Sequence, residues 1–195
     1  MTTQLPWLQL PAASTSADWP TRVCEVPDLR ARVGVPDSWR DQGTSSPPEG
    51  ERSAVFRGDS PLDWLEIRHR VDVGSEALAR WTDGVQGAIG FPVVPPGRLV
   101  LDLPELLSWP MPGGVTDEHD RDRLGLDELL GYEGLAAWDG RRLRLYVVLA
   151  RRGDDAWRLT LGIESALLPG MPDDLVWSND HVRAAAVFGA LSFGH

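Results

Sequence analysis

Lysine is absent from this chain: all nineteen basic side chains are arginine. That excludes a Schiff-base lysine, a phosphate-loop lysine and a Ser-x-x-Lys nucleophile. Cysteine is almost absent. Cys24 stands alone, so no internal disulfide can form, which fits a reducing compartment. No segment has the roughly 20 consecutive apolar residues of a membrane span. The opening stretch "MTTQLPWLQLPAASTSADWP" has neither the basic start nor the apolar run of a secretion signal. A cytoplasmic protein that is not membrane-embedded is expected. Excess positive charge is lacking too. The net charge is −10, so a nucleic-acid backbone is a poor partner.

What is present suits one soluble domain with a full core. The chain has 195 residues, 42% apolar and 25% charged, and those proportions place it in the ordinary globular class. Tryptophan is abundant, with nine copies against two tyrosines, so aromatic core or contact area comes mainly from indoles. Acidity concentrates between Asp102 and Asp139, where only Arg121 and Arg123 oppose it. This region is read as solvated loop, or as a docking surface for a basic partner.

Residues 1–20 are rich in Ser, Thr, Ala and Pro, with Trp7, Leu8 and Leu10 as apolar anchors. They read as a flexible or docking N-terminal arm. Residues 21–195 read as a single domain with an acidic, loop-rich insertion at about 99–131. Leu29, Ala31, Val33 and Val35 alternate with Arg30, Arg32 and Gly34, which predicts a half-buried strand stopped by Pro36. Ala54–Arg57 and "DWLEIRHRV" (63–71) predict two more strands. Ser75 is expected to cap a helix through about Ile89, with Leu78, Trp81, Val85 and Ile89 on one stripe. Residues 99–103 are expected to be a strand and "LGLDELLG" (124–131) a helical turn.

Residues 132–164 carry the clearest pattern. Asp139-Gly140 is a two-residue hairpin signal, and "RRGDDA" turns the chain again. The three runs predict a meander, with Leu143, Leu145, Val147 and Leu149 facing inward together with Trp157, Leu159, Leu161 and Ile163. A last helix, capped by Ser178 or Asn179, is expected over "DHVRAAAVFGALSF". The sum is an α+β domain: an antiparallel sheet with a C-terminal three-stranded meander, flanked by two or three helices.

Catalytic patterns are sparse. His69, His119, His181 and His195 have no metal-ligand spacing. His69 falls on an apolar strand face and is expected to be a hydrogen-bonded core residue, and His181 is expected to be exposed. "DEHDRD" (117–122) offers oxygen ligands but lacks the glycine and terminal glutamate of a calcium loop. Ser165, in "GIESA", lacks the second glycine of a nucleophile elbow. No catalytic residue, metal or cofactor is expected.

A strand ending "VPDSW", a later helix, a long meander and a terminal helix ending "ALSF" resemble the PsbP-like α/β/α sandwich. That superfamily includes photosystem II extrinsic subunits and the bacterial DcrB-like proteins, among them chaperones of type VI secretion effectors. The resemblance covers residues 29–193. It implies that Trp39 packs under the sheet. It also implies a non-enzymatic chaperone or adaptor, often a homodimer, that shields an apolar client peptide or protein on a sheet-lined groove. On the predicted outward rows, Trp64, Arg68, Arg144, Tyr146 and Arg158 form the expected partner-binding patch. The competing readings are an accessory subunit of a larger complex, docked through the arm, and a hydrolase with an unrecognised site.

Overall fold

Short apolar runs broken by proline, glycine and aspartate make strands, and strands dominate the chain. The computed structural model describes residues 19–45, 51–73, 78, 106–108, 118–138, 141–165 and 173–194. Ten strands lie among them: β1 (Thr21–Val26), β2 (Ala31–Pro36), β3 (Arg40–Ser45), β4 (Glu51–Arg57), β5 (Trp64–Arg70), β6 (Leu106–Ser108), β7 (Glu128–Trp138), β8 (Arg141–Arg152), β9 (Asp155–Ser165) and β10 (Ser192–Phe193). Two helices accompany them, α1 (Glu118–Arg123) and α2 (Asp173–Phe188). The strands form two antiparallel sheets. The small one has the order β1-β2-β10 and the large one β3-β4-β5-β9-β8-β7-β6.

The meander is present as β7, β8 and β9. Trp138 pairs with Arg141, and Arg152 with Asp155 across the two-residue Gly153-Asp154 turn. Gly153, at φ +57°, supplies the left-handed position that such a turn requires. The expected helical turn at 124–131 is instead the turn that follows α1 and the start of β7. The Leu126 N–H closes on the Arg121 carbonyl, and the Asp127 N–H already bonds the Arg151 carbonyl. The ladder to β8 therefore takes up the run. Within the expected insertion, Leu106–Ser108 forms the end strand of the large sheet against β7. The expected helix at 75–89 and strand at 99–103 lie outside the described residues, apart from Leu78.

The last helix starts at Asp173, ahead of the expected cap at Ser178 or Asn179. Its expected end, "LSF", is not helical. Ser192 and Phe193 pair with Arg32 and Ala31, because the Leu191 N–H bonds the Phe188 carbonyl and turns the chain onto β2. The backbone of α2 lies against Gly34, where an added Cβ would stand 2.4 Å from the Ala186 carbonyl oxygen.

The main core lies between the two sheets and α2. Val26, Leu29, Val33 and Val35 meet Phe56, Leu65, Ile67, Tyr146, Val148, Trp157, Leu159 and Leu161, closed by Val187, Phe188 and Phe193. Trp157 donates its indole N–H to the Leu29 carbonyl at 2.7 Å, tying the sheets together. Trp39 is part of this core, 3% exposed, as expected. Its N–H bonds the Pro36 carbonyl, so "PDSW" is a turn that swings the indole back under β2. Trp19, just before β1, meets it edge-on at 5.5 Å.

Candidate functional site

The expected patch of Trp64, Arg68, Arg144, Tyr146 and Arg158 is not one surface. Two-residue turns pair even-numbered positions of β8 with odd-numbered positions of β9. Tyr146 sits opposite Leu161, and Arg144 opposite Ile163, so both side chains lie on the core face. Leu143, Leu145, Val147 and Leu149 lie on the outer face with Thr160, Arg158, Trp64 and Arg68, away from Trp157, Leu159, Leu161 and Ile163. The expected joint inward row is thus corrected: the two apolar sets occupy opposite faces. Both faces are buried. Trp64 and Tyr146 are fully buried, Arg144 is 2% exposed and Arg158 8%. The docking anchors Trp7, Leu8 and Leu10 lie outside the described residues.

Each of these buried side chains has a local structural role. The Trp64 indole covers Gly162 across the strand pair, filling the space where a Cβ would come within 2.7 Å of Nε1. Glu66 sits between two arginines, 2.8 Å from Arg68 and 3.6 Å from Arg158, and Arg68 also reaches Glu51. Burial, and then the neighbouring Arg68 charge, pull Arg158 below the usual arginine range. Leu78 joins Val147, Leu149 and Ala156 in a second apolar cluster on this outer face.

A polar cluster gathers where β8 and β9 meet α2. The Ser165 hydroxyl donates to Asp180 at 2.6 Å, and Arg144 Nε lies 3.8 Å from the same carboxylate. Burial raises the Asp180 pKa, against the pull of the Ser165 hydroxyl and the Arg144 charge. Nearby, Asp63 accepts the Glu164 N–H at 2.7 Å, and Ser60 donates to Glu164. Burial pushes Asp63 up to about 6, although the Glu164 N–H pulls the other way. His181 is half-buried rather than exposed, 6.0 Å from Tyr146, because the helix begins earlier than expected and places it mid-helix. His69 matches its expected role: it bonds Asp155 at 2.8 Å and stacks on Trp157.

Several described carboxylates of the acidic region have partners within the fold. Asp120 pairs with Arg123 at 2.8 Å, Glu128 with Arg151, and Asp127 accepts the Gly153 N–H. Among the described residues no group of three or more His, Cys, Asp or Glu is placed to hold a metal. No helix among them is long and apolar enough to cross a membrane.

What the sequence reading missed is β1. Thr21–Val26 has β-branched residues at Thr21, Val23 and Val26 and is framed by Pro20 and Pro27, and that framing was the signal. The Asp37 N–H bonds the Pro20 carbonyl at 2.9 Å. In an antiparallel ladder the hydrogen-bonded pairs alternate. The bonds to β2 therefore fall on Arg22/Val35, Cys24/Val33 and Val26/Ala31. Thr21, Val23 and Glu25 turn their N–H and C=O groups away from β2, toward an edge to which no other described strand is paired. Val23 on this edge is 59% exposed.

The β3 edge of the large sheet is made differently. Strand β3, at the edge of the large sheet, carries a register break between Asp41 and Thr44. Gly43 there is at φ +87°, and Asp41 takes its N–H. Bulges and charges of this kind blunt an edge, and β1 has no bulge.

No family model matches the chain, and no curated protein matches it. Among solved structures, a crystal structure from Bacteroides thetaiotaomicron VPI-5482 is similar in part, at 11% identity and a TM-score of 0.40. The match covers 85% of this chain and 46% of that one, so this chain spans about half its length.

Proposed function

We propose that the chain is a non-enzymatic protein-binding module, an adaptor or chaperone of the kind that the PsbP-like and DcrB-like resemblance implies, and that partners join it by strand addition at β1. The carrying observation is the unbulged edge of β1, to which no other described strand is paired, with Val23 exposed on it between Thr21 and Glu25. Main-chain bonds give such an edge affinity, and its side chains give it selectivity. The faces of the large sheet serve this reading poorly as docking surfaces, since their aromatic and basic side chains are buried. The polar side chains suit support more than chemistry: Ser165 gives its hydroxyl to Asp180, and His69 is held by Asp155 and Trp157.

The test is a photo-reactive residue at Val23 or, for comparison, at Thr44 in β3, in cells that express the chain. Adducts are expected from position 23 and not from 44. Equal labelling from both edges, or none from position 23, would overturn the reading.

A further inference from the structure

We infer that the strand which β1 accepts is β1 of a second copy, paired antiparallel across a two-fold axis centred on Val23. The inference rests on the β1 edge being a strand-addition site and names its occupant. The two prolines decide the register. Pro20 and Pro27 bracket the edge and have no N–H to donate. The outward-bonding residues between them are Thr21, Val23 and Glu25. Pairing Val23 with Val23 of the copy sets Thr21 opposite Glu25 on both sides, so all three donors and all three acceptors of each strand are used. Centring on Cys24 instead sets Thr21 opposite Pro27 and loses bonds. Centring on Glu25 sets two carboxylates opposite each other, which is repulsive.

The side chains agree with the same register. Val23, 59% exposed in one copy, is covered by its own equivalent. Arg22 faces Cys24 of the copy, and a Thr21 hydroxyl faces a Glu25 carboxylate, so no like charges meet. An interface whose two halves are the same patch is what a two-fold dimer needs. The small sheets of two copies then form one six-stranded sheet, with strand order β10-β2-β1 continued by β1-β2-β10 of the copy. Each copy carries a net charge of −10, so pairing should tighten as salt screens the repulsion.

The experiment is sedimentation velocity of the full chain at high micromolar concentration, at low and moderate salt. The intact chain is expected to be a dimer, tighter at moderate salt. Val23→Pro removes one outward donor while leaving the Arg22, Cys24 and Val26 bonds to β2, and should give a folded monomer. Val23→Glu places two carboxylates opposite each other and should do the same if the proline disturbs folding. Spin labels in a Cys24→Ser background read the register. A label at position 23 should give the shortest inter-copy distance. Labels at 21 and 25 should give equal, longer ones, offset by roughly 14 Å along the strand.

A monomeric intact chain, a dimer that survives Val23→Glu, or unequal distances at 21 and 25 would overturn the inference. If the chain is monomeric yet position 23 cross-links to a different protein in cells, self-pairing falls and strand addition stands. If position 23 cross-links to nothing, both fall.

Discussion

The two faces of the large sheet are both largely buried and differently made. The core face is apolar through its centre, from Phe56 across Leu65, Leu161 and Tyr146, and keeps the buried ion pair of Arg144 with Asp180 at the margin beside α2. The outer face mixes the two classes. Leu143, Leu145, Val147 and Leu149 stand beside the charged row Arg68, Glu66 and Arg158. The difference shows that exposed strand faces and polar strand faces are not the same thing. A row of Arg, Glu and Trp reads as surface in the sequence, but here its charges neutralise one another under cover.

The comparison breaks most directly at its two large indoles. Trp157 anchors the core face and Trp64 the outer one, and both are fully buried. Replacing either by Ala should cost about 3–5 kcal/mol in urea unfolding, as large-to-small core changes do. The Trp157 variant also leaves the Leu29 carbonyl without its donor. If Trp64→Ala stays within about 0.5 kcal/mol of the parent, as surface changes do, the outer face is not a second core.

Much of the fold was legible where contacts are local. The three meander strands, a C-terminal helix and core His69 all follow from short-range pattern. The facing of β8 against β9 was readable too, but only by counting residues through the Gly153-Asp154 turn. Both strands are apolar on alternate rows, so hydrophobic alternation alone could not choose. The pairing of β5 with β9, which joins Ile67 to Leu159 across nearly half of the chain, left no local trace. Strand β1 was hidden because its edge residues are half polar and its inward side chains include Cys24 and Arg22 rather than a run of aliphatics. The candidate site was therefore the least legible part: it is an edge, defined by which backbone groups face no other described strand, and residue types do not record that.

The charged outer row gives a sharper test of smaller size. Glu66→Leu removes the shared carboxylate of two arginines and should cost about 3 kcal/mol, because breaking a buried ion pair from one side is strongly destabilising. Glu66→Leu combined with Arg158→Leu should recover much of that loss, since an apolar pair replaces an ion pair at little net cost. Chemical denaturation of the single and double variants decides it. A double variant less stable than the single one would mean that the row contributes through its charges and not through its volume.

On the core side, Ser165→Ala should cost about 1–3 kcal/mol, the penalty for leaving buried Asp180 without a donor at 2.6 Å. Arg144, at 3.8 Å, is too far to replace that bond. Thermal unfolding of the variant measures it, and an unchanged melting temperature would show that Asp180 finds another donor.

The smallest expected effect concerns pH. Burial raises Asp63 from an ordinary value of 3.8 to about 6, so the folded chain holds this proton more tightly than the unfolded chain does. Between about pH 4 and pH 6 the folded state keeps a proton that the unfolded state has released. Stability therefore falls as pH rises through that window and is level, for this group, above it. Asp180 is raised in the same direction and adds a slope of the same sign, so the Asp63 part must be read as a difference. Asp63→Asn mimics the protonated carboxyl and keeps an oxygen to accept the Glu164 N–H. Two pH units correspond to at most about 3 kcal/mol, and the part of Asp63 that meets solvent reduces this to on the order of 1 kcal/mol. The variant should gain that much over the parent at pH 7.5 and nothing at pH 4, measured by urea unfolding at both values. Parallel stability curves for parent and variant across the window would show that Asp63 titrates at an ordinary carboxylate value.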